Sequence, residues 1–373
     1  MKKIGIDASR ANDDKKTGVG WYAWHTIQEF KKIIPDDVRV VLYSREKLKG
    51  ELAILPVNWE SKVLKWLPGR LWTQFRLSWE MLFRSLDVLF IPAHVFPIIH
   101  PKKTVMTIHD IAAVKFPKSY NWFERWYTLW SAKHALEKLW KVITISQFTK
   151  DELKNEFGDS NLEKVKIIYL GYNKEYEEVS GNVDQVLKKY KIEKPYLFSI
   201  GRLEEKKNTV NIIKSFEGLR FKVYLRRWMP CGYDLKLVLV GAKGFGYEKV
   251  KQEINKSSFK DNIITPGWVD NDDLPALMQG AEVFVFSSLY EGFGIPVLEA
   301  FASGTPVVAS AGGASQEIGG DACEYVDPVS VDSISKGIEK AIQGDNIEKG
   351  KERVKNFSWE KCARETWDIL NSN

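Results

Sequence analysis

Three cysteines, Cys231, Cys323 and Cys362, serve a chain of 373 residues, and no two of them form a CxxC pair. An odd count without paired spacing argues against a disulfide framework or a thiolate zinc site and fits a reducing compartment. Long apolar runs are missing too. No window approaches the roughly 20 apolar residues of a membrane span. The start, Met1-Lys2-Lys3-Ile4-Gly5-Ile6-Asp7, turns polar too early for a signal peptide. The expectation is a cytoplasmic protein, at most peripheral to the cytoplasmic (inner) membrane. Charge of one sign is scarce: Lys and Arg number 55 against 49 Asp and Glu, a net +6. Without a basic stripe or a nucleic-acid-binding module, nucleic acid is not expected as a partner. The small excess suits an anionic small substrate or an anionic membrane surface. No low-complexity tract interrupts the chain, and the 44% hydrophobic content is ample for packed cores.

What is present is alternation. Short runs rich in β-branched residues at 3–7, 38–43, 88–91, 104–108, 141–145 and 165–168 read as strands, with helical stretches between them at 21–32, 71–84 and 121–139. The segment 172–182 is polar, acidic and aperiodic. A second series follows, with strands at 196–200, 236–240, 262–264, 283–287, 306–309 and 323–326, helices in the gaps, and a final amphipathic helix at 358–370. Alternating βα units imply parallel sheets covered on both faces. The expected fold is α/β, with two Rossmann-like doubly wound domains facing an interdomain cleft. The domains are expected at 1–174 and 195–356, with a linker at 175–194 and a helix at 357–373 crossing back to the first domain. Ligands of such sheets bind beyond the carboxyl ends of the strands.

Five segments sit at such ends. Glu291-Gly292-Phe293-Gly294-Ile295-Pro296-Val297-Leu298-Glu299 turns through glycines into a helix whose early Pro296 costs little. Amides at that turn suit an anion or sugar hydroxyls, and Glu291 and Glu299 are good acceptors for hydroxyls. The plainer reading is a helix start with two solvated glutamates. Arg202 and Lys207, after strand 196–200 and ahead of Asn208, can converge on a diphosphate; the plainer reading is a charged loop. Gly241-Ala242-Lys243-Gly244-Phe245-Gly246 fits a tight βα turn better than a dinucleotide fingerprint. His109 directly follows strand 104–108, where it can face the cleft and hydrogen-bond a sugar, or serve as a structural histidine. Thr17-Gly18-Val19-Gly20 opens helix 21–32 and offers the amides of Gly18 and Gly20 to a phosphate or an acceptor.

In combination these residues resemble the retaining family 4 glycosyltransferases of the GT-B fold, mannosyltransferase-like members in particular. Arg202…Lys207-Asn208 and Glu291-Gly292-Phe293-Gly294…Glu299 carry the likeness. Gly267-Trp268-Val269, Asp272-Asp273-Leu274-Pro275, Gly304-Thr305-Pro306-Val307-Val308-Ala309 and Gly312-Gly313-Ala314-Ser315-Gln316-Glu317 extend it. Thr17–Gly20 (numbers 17–20), His109-Asp110 and Ser146-Gln147-Phe148-Thr149 fill the corresponding places in the first half. The resemblance implies that Arg202 and Lys207 bind the donor diphosphate, that Glu291 and the amides of Gly292, Phe293 and Gly294 hold the donor sugar, and that Glu299 binds the ribose with Leu298 beside the nucleoside. It places His109 near the transferred sugar. Catalysis is assigned to Glu291, His109, Arg202 and Lys207. Trp21 stands where relatives often carry Arg, and the stretch 220–232 is unusually basic and aromatic and has no assigned role.

The implied reaction moves a hexose, mannose favoured, from a nucleotide-sugar co-substrate such as GDP-mannose to a saccharide or polyprenyl-linked saccharide in cell-surface polysaccharide synthesis. No Asp-x-Asp adjoins the donor motifs, so no metal and no other cofactor is expected. The alternatives are a UDP-glucose-type transferase of the same family, a GT-B nucleotide-sugar epimerase, a non-catalytic carbohydrate-binding subunit, and a nicotinamide oxidoreductase. A stripe of Trp72, Phe75, Trp79 and Leu82 shares its helix with Arg76, Glu80 and Arg84 and follows Lys62, Lys65, Trp66 and Arg70, and the stretch 121–140 repeats the theme with Trp122, Trp126, Trp130 and Trp140. Such helices suit a membrane interface or ordinary packing on a sheet.

Overall fold

The computed structural model describes residues 1–66, 71–178, 183–226, 234–344 and 346–372. Arg70, Cys231 and half of the stretch 220–232 lie outside the described residues. The chain divides into two compact units, Met1–Gly171 with Phe357–Asn373, and Tyr172–Asn356.

The first unit is built on seven parallel strands: β1 (Lys3–Asp7), β2 (Arg39–Ser44), β3 (Trp59–Val63), β4 (Val88–Ile91), β5 (Thr104–Ile108), β6 (Lys141–Thr144) and β7 (Val165–Ile167). Their order is β3-β2-β1-β4-β5-β6-β7. Strands β4 and β5 are buried along their whole length, as strands covered on both faces must be. Strand β3 departs from the sequence expectation. Trp59-Glu60-Ser61-Lys62-Val63 lies at the sheet edge, so its polar residues face outward and no apolar run marks it. The helix Trp122–Lys138 opens with a reciprocal cap between Asn121 and Glu124, worth about 1 kcal/mol. The C-terminal helix Trp359–Asn371 packs on the helix Gly18–Ile33 of this unit. Gly171 permits that closure, because a Cβ there would lie 2.2 Å from the Trp359 amide nitrogen.

The stripe expected in 71–84 divides. Trp72 is fully buried and its indole donates to the Leu64 carbonyl at 2.6 Å, whereas Phe75, Trp79 and Leu82 are exposed. A wider turn over Thr73–Leu77 precedes the regular helix Ser78–Phe83 and separates the two orientations.

The second unit has six parallel strands: β8 (Tyr196–Ile200), β9 (Lys236–Val240), β10 (Ile263–Gly267), β11 (Val283–Phe286), β12 (Val307–Ser310) and β13 (Cys323–Val326). The order is β10-β9-β8-β11-β12-β13. The sense of connection reverses between β8 and β11, and the crevice outside a sheet opens at such a switch point. The segment 175–194 contributes structure to this unit. Tyr176 ends a short turn, Lys174–Tyr176, and the helix Val183–Lys189 packs on the helix Leu274–Gln279. Gly241 meets Gly201 so closely that a Cβ would lie 1.9 Å from the Gly201 carbonyl oxygen. The cluster 241–246 is therefore a tight βα turn, laced to the loop after β8 by the Leu203 amide bond to Ala242 and the Gly244 amide bond to Leu203.

Candidate functional site

The loops leaving β8 and β11 flank the switch point, and they carry the two charged motifs. Lys207 ends the turn Glu205–Lys207, and its Nζ lies 2.5 Å from Oε1 of Glu291. The same ammonium sits 5.6 Å from the centre of the Phe286 ring. Gly201 makes room for the lysine stem, since a Cβ at this φ of +146° would lie 3.3 Å from Lys207 Cε. Arg202, one residue beyond that glycine, is exposed. Gly201, Arg202, Lys207, Thr209, Phe286 and Ser288 line one pocket.

Asn208 fastens the two loops together. It adopts a left-handed conformation, φ 59°, and its Nδ2 donates to the carbonyls of Ser287 at 2.9 Å and Pro328 at 2.6 Å. The Leu289 amide donates to the Lys206 carbonyl at 2.9 Å, a second tie. The helix itself begins at Thr209, so Asn208 is a loop clamp as well as the residue before the helix.

Gly294 has φ +120° and ψ 47°, a conformation that side-chain-bearing residues rarely adopt, and it releases the chain into the helix Ile295–Ala302. Phe293 and Leu298 are buried; their side chains contribute to packing. Leu298 thus presents no side-chain surface to a nucleoside. Glu299, on the same helix, is partly buried, and desolvation raises its carboxyl to about 7 against a hydrogen bond from Tyr176 that lowers it. That tyrosine comes from the segment read as linker. The sequence signal was faint: one aromatic within Lys174-Glu175-Tyr176-Glu177-Glu178.

Asp270-Asn271-Asp272 does spell Asp-x-Asp, after β10. Lys189 holds Asp270 at 2.9 Å and Asp273 at 2.6 Å.

The remaining expected residues belong to the first unit. His109 directly follows β5 and is buried; its Nε2 approaches the Pro92 carbonyl at 3.4 Å. Its ring stands edge-on to Tyr22 at 4.8 Å and to His94 at 5.1 Å. Burial, with His94 beside it, pushes its pKa down to about 3, so the imidazole is neutral at physiological pH. The Thr149 hydroxyl donates to the His109 carbonyl at 3.3 Å, which links the strand end to Ser146, the cap of the helix Gln147–Phe157. Gly18 starts the helix Gly18–Ile33 with open space where a Cβ would stand. Gly20 is packed: a Cβ would lie 3.0 Å from the Arg10 carbonyl oxygen. Trp21 carries Lys16 at 5.3 Å from its ring centre.

Comparison with known proteins extends over most of the chain. Residues 16–176 match the model of Glycosyltransferase Family 4, and residues 182–358 match that of Glycosyl transferases group 1. The O-antigen chain mannosyltransferase B of Escherichia coli is 29% identical over 272 residues, which covers 71% of this chain and 69% of that protein. The O-antigen chain mannosyltransferase RfbU of Salmonella typhimurium is 25% identical over 295 residues, covering 79% and 74%. Among solved structures, a sucrose-phosphate synthase from Thermosynechococcus elongatus superposes with a TM-score of 0.74 at 17% identity, over 99% of this chain and 98% of that one. At that identity the likeness speaks for the fold.

Proposed function

We propose a specific transfer for this chain, which belongs to the family 4 (group 1) glycosyltransferases of the GT-B fold. It moves a hexose, mannose in the first place, from GDP-mannose to a hydroxyl of a saccharide or polyprenyl-linked saccharide, with retention at the anomeric carbon. Mannosyltransferase relatives support the sugar. The observation that carries the reading is the meeting of Lys207 and Glu291 at 2.5 Å beside exposed Arg202, at the switch point of the second sheet.

The chemistry follows from those charges. In transfer, the bond from sugar C1 to the phosphate oxygen breaks and the diphosphate keeps the electron pair. The acceptor oxygen bonds to C1 on the same face, and its proton passes to the departing phosphate oxygen. Arg202 and Lys207 stabilise the charge that grows on the diphosphate, which is worth more in the transition state than in the ground state. Glu291 accepts hydrogen bonds from the sugar hydroxyls, with the backbone at 292–294 beside it. Before donor binds, Glu291 and Lys207 neutralise each other; donor exchanges that pairing for phosphate and hydroxyl partners. Glu299 accepts from the ribose. His109 enters as a neutral imidazole, able to donate or accept a hydrogen bond but not to supply a positive charge. The backbone amides near Gly18 and Gly20 are further candidates for phosphate contact.

The test is turnover of GDP-mannose and of UDP-glucose, with a mannose-containing oligosaccharide as acceptor, read by nucleoside diphosphate release and by proton NMR of the new linkage. The expected result is GDP release and an α-linked product from the α-configured donor. Turnover of UDP-glucose alone, or an inverted product, overturns the donor or the stereochemistry respectively.

A further inference from the structure

The first unit exposes a set of rings that its own core leaves uncovered. Phe75, Trp79, Leu82 and Phe83 are 52–69% exposed, although Thr73, Gln74, Leu77, Ser78 and Met81 of the same segment are buried. The exposed rings pair with one another: Trp79 with Phe83 at 5.4 Å, and Phe75 with Trp66 at 6.1 Å. Cations border this face. Glu80, itself buried, collects Lys62, Arg76 (3.4 Å) and Arg84 (3.5 Å), three positive charges on one carboxylate, and exposed Lys65 adds a fourth.

The face continues into a second helix. Gln74 donates to the Phe96 carbonyl at 3.4 Å, and the Phe96 ring stacks on Trp130 at 6.3 Å. The segment around Phe96 thus joins 73–83 to the helix Trp122–Lys138. Ile98 and Ile99 on it are exposed, as are Trp122 and Trp126 at the start of that helix. None of these elements is long and apolar enough to cross a membrane.

We propose that this face, centred on Phe75, Trp79, Leu82 and Phe83 and bordered by Lys62, Lys65, Arg76 and Arg84, docks the enzyme on the surface of an anionic lipid bilayer. Tryptophan and phenylalanine settle at the boundary between headgroups and acyl chains, and lysine and arginine beside them reach anionic headgroups. The surplus of cations over carboxylates is the complement that an anionic bilayer presents. An apolar protein partner would need no such border. The docking is independent of which donor the enzyme uses, because it is read without turnover.

The experiment is flotation of the full chain with phosphatidylglycerol–phosphatidylcholine vesicles and with phosphatidylcholine vesicles, at low and at physiological salt. Wild type is expected to float with the anionic vesicles, less at higher salt, and to stay behind with the neutral ones. Trp79→Ser/Phe83→Ser, which touches only exposed rings, should lose binding about tenfold or more while its melting temperature and its turnover of a water-soluble acceptor stay unchanged. Arg84→Gln should lose binding to a smaller degree and flatten the dependence on lipid charge. Failure of wild type to float at low salt overturns the proposal, as does full flotation of the double variant. A wild-type dimer that becomes monomeric in the double variant, with neither binding vesicles, assigns the face to a second copy and also overturns it.

Discussion

Lys207 and Glu291 stand 84 residues apart in sequence and 2.5 Å apart in space, and each comes from the loop that follows a central strand of the second sheet. A short ion pair at the switch point of a parallel sheet makes the two charged motifs one unit. Neither side chain is fully solvated, at 22% and 14% exposed, so each charge depends on the other until a ligand replaces it.

Loss of either charge should therefore stop transfer while the fold persists. Lys207→Ala and Glu291→Ala are each expected to lower kcat/KM by about 10²–10³. The double variant should fall short of the product of the two losses, since both act on one state. Urea denaturation should show a cost of only about 1–2 kcal/mol for either single variant, between the values for exposed and buried pairs. Wild-type turnover in either variant removes that residue from the mechanism.

Glu299 makes the pH dependence specific. Its carboxyl titrates near 7 when folded, against an ordinary 4.5. Between those values the folded carboxyl holds a proton that the unfolded chain has released. Its contribution to stability is therefore present at the acid end and lost as pH rises through about 7. Glu299→Gln should gain melting temperature relative to wild type as pH goes from about 5 to 8. A carboxylate that accepts from ribose should also give a donor KM that falls as pH rises through about 7. Tyr176→Phe, which removes the hydrogen bond that favours the carboxylate, should move that inflection upward. A KM that is flat with pH in wild type contradicts the assignment.

Asn208 offers a separable test of the loop clamp. Asn208→Gly keeps the left-handed backbone and removes the two bonds to Ser287 and Pro328. The expected cost is about 2 kcal/mol, roughly 1 per bond. Asn208→Ala adds about 1 kcal/mol for the backbone. Equal stability of the two variants, measured by urea denaturation, argues against strain at this position.

His109 should leave no mark on the rate profile near neutrality. Its imidazole is depressed to about 3, below the unfolded value of about 6.5. The stability this burial carries is present above about 6.5 and is lost as pH falls toward 3, because the unfolded chain takes up the proton first. His109→Asn should therefore narrow its stability deficit as pH drops from about 7 to 4. A kcat inflection near 6.5 that vanishes in this variant would show a titrating, exposed imidazole instead.

The strands that bear the motifs were legible because they are largely buried: Val283–Phe286 is an unbroken apolar run, and Tyr196–Ile200 is apolar except at Ser199 and leads directly into Gly201. Edge strand Trp59–Val63 was not, since only one side of it is covered and its polar residues break the run. The residue types at 202, 207, 291 and 299 were readable from spacing, but their partners were not. Tyr176 reaches Glu299 from an acidic segment, and the contact depends on packing that joins positions 123 residues apart. For His109 the sequence left a cleft-facing and a structural histidine both open; the burial of its ring, edge-on to Tyr22 from 87 residues earlier, depends on packing that spacing does not show. Trp72 and Trp79 share a stripe by spacing, yet the wider turn at Thr73–Leu77 turns one inward and leaves the other out.

The central claim is that Arg202 and Lys207 receive the diphosphate of the donor. Thermal shift with saturating GDP tests it most directly, in wild type, Arg202→Ala and Lys207→Ala. A ligand present at about 100 times its Kd stabilises by about 2.7 kcal/mol. The account predicts a rise of several degrees in wild type and little or none in either variant. An equal rise in all three proteins would contradict it.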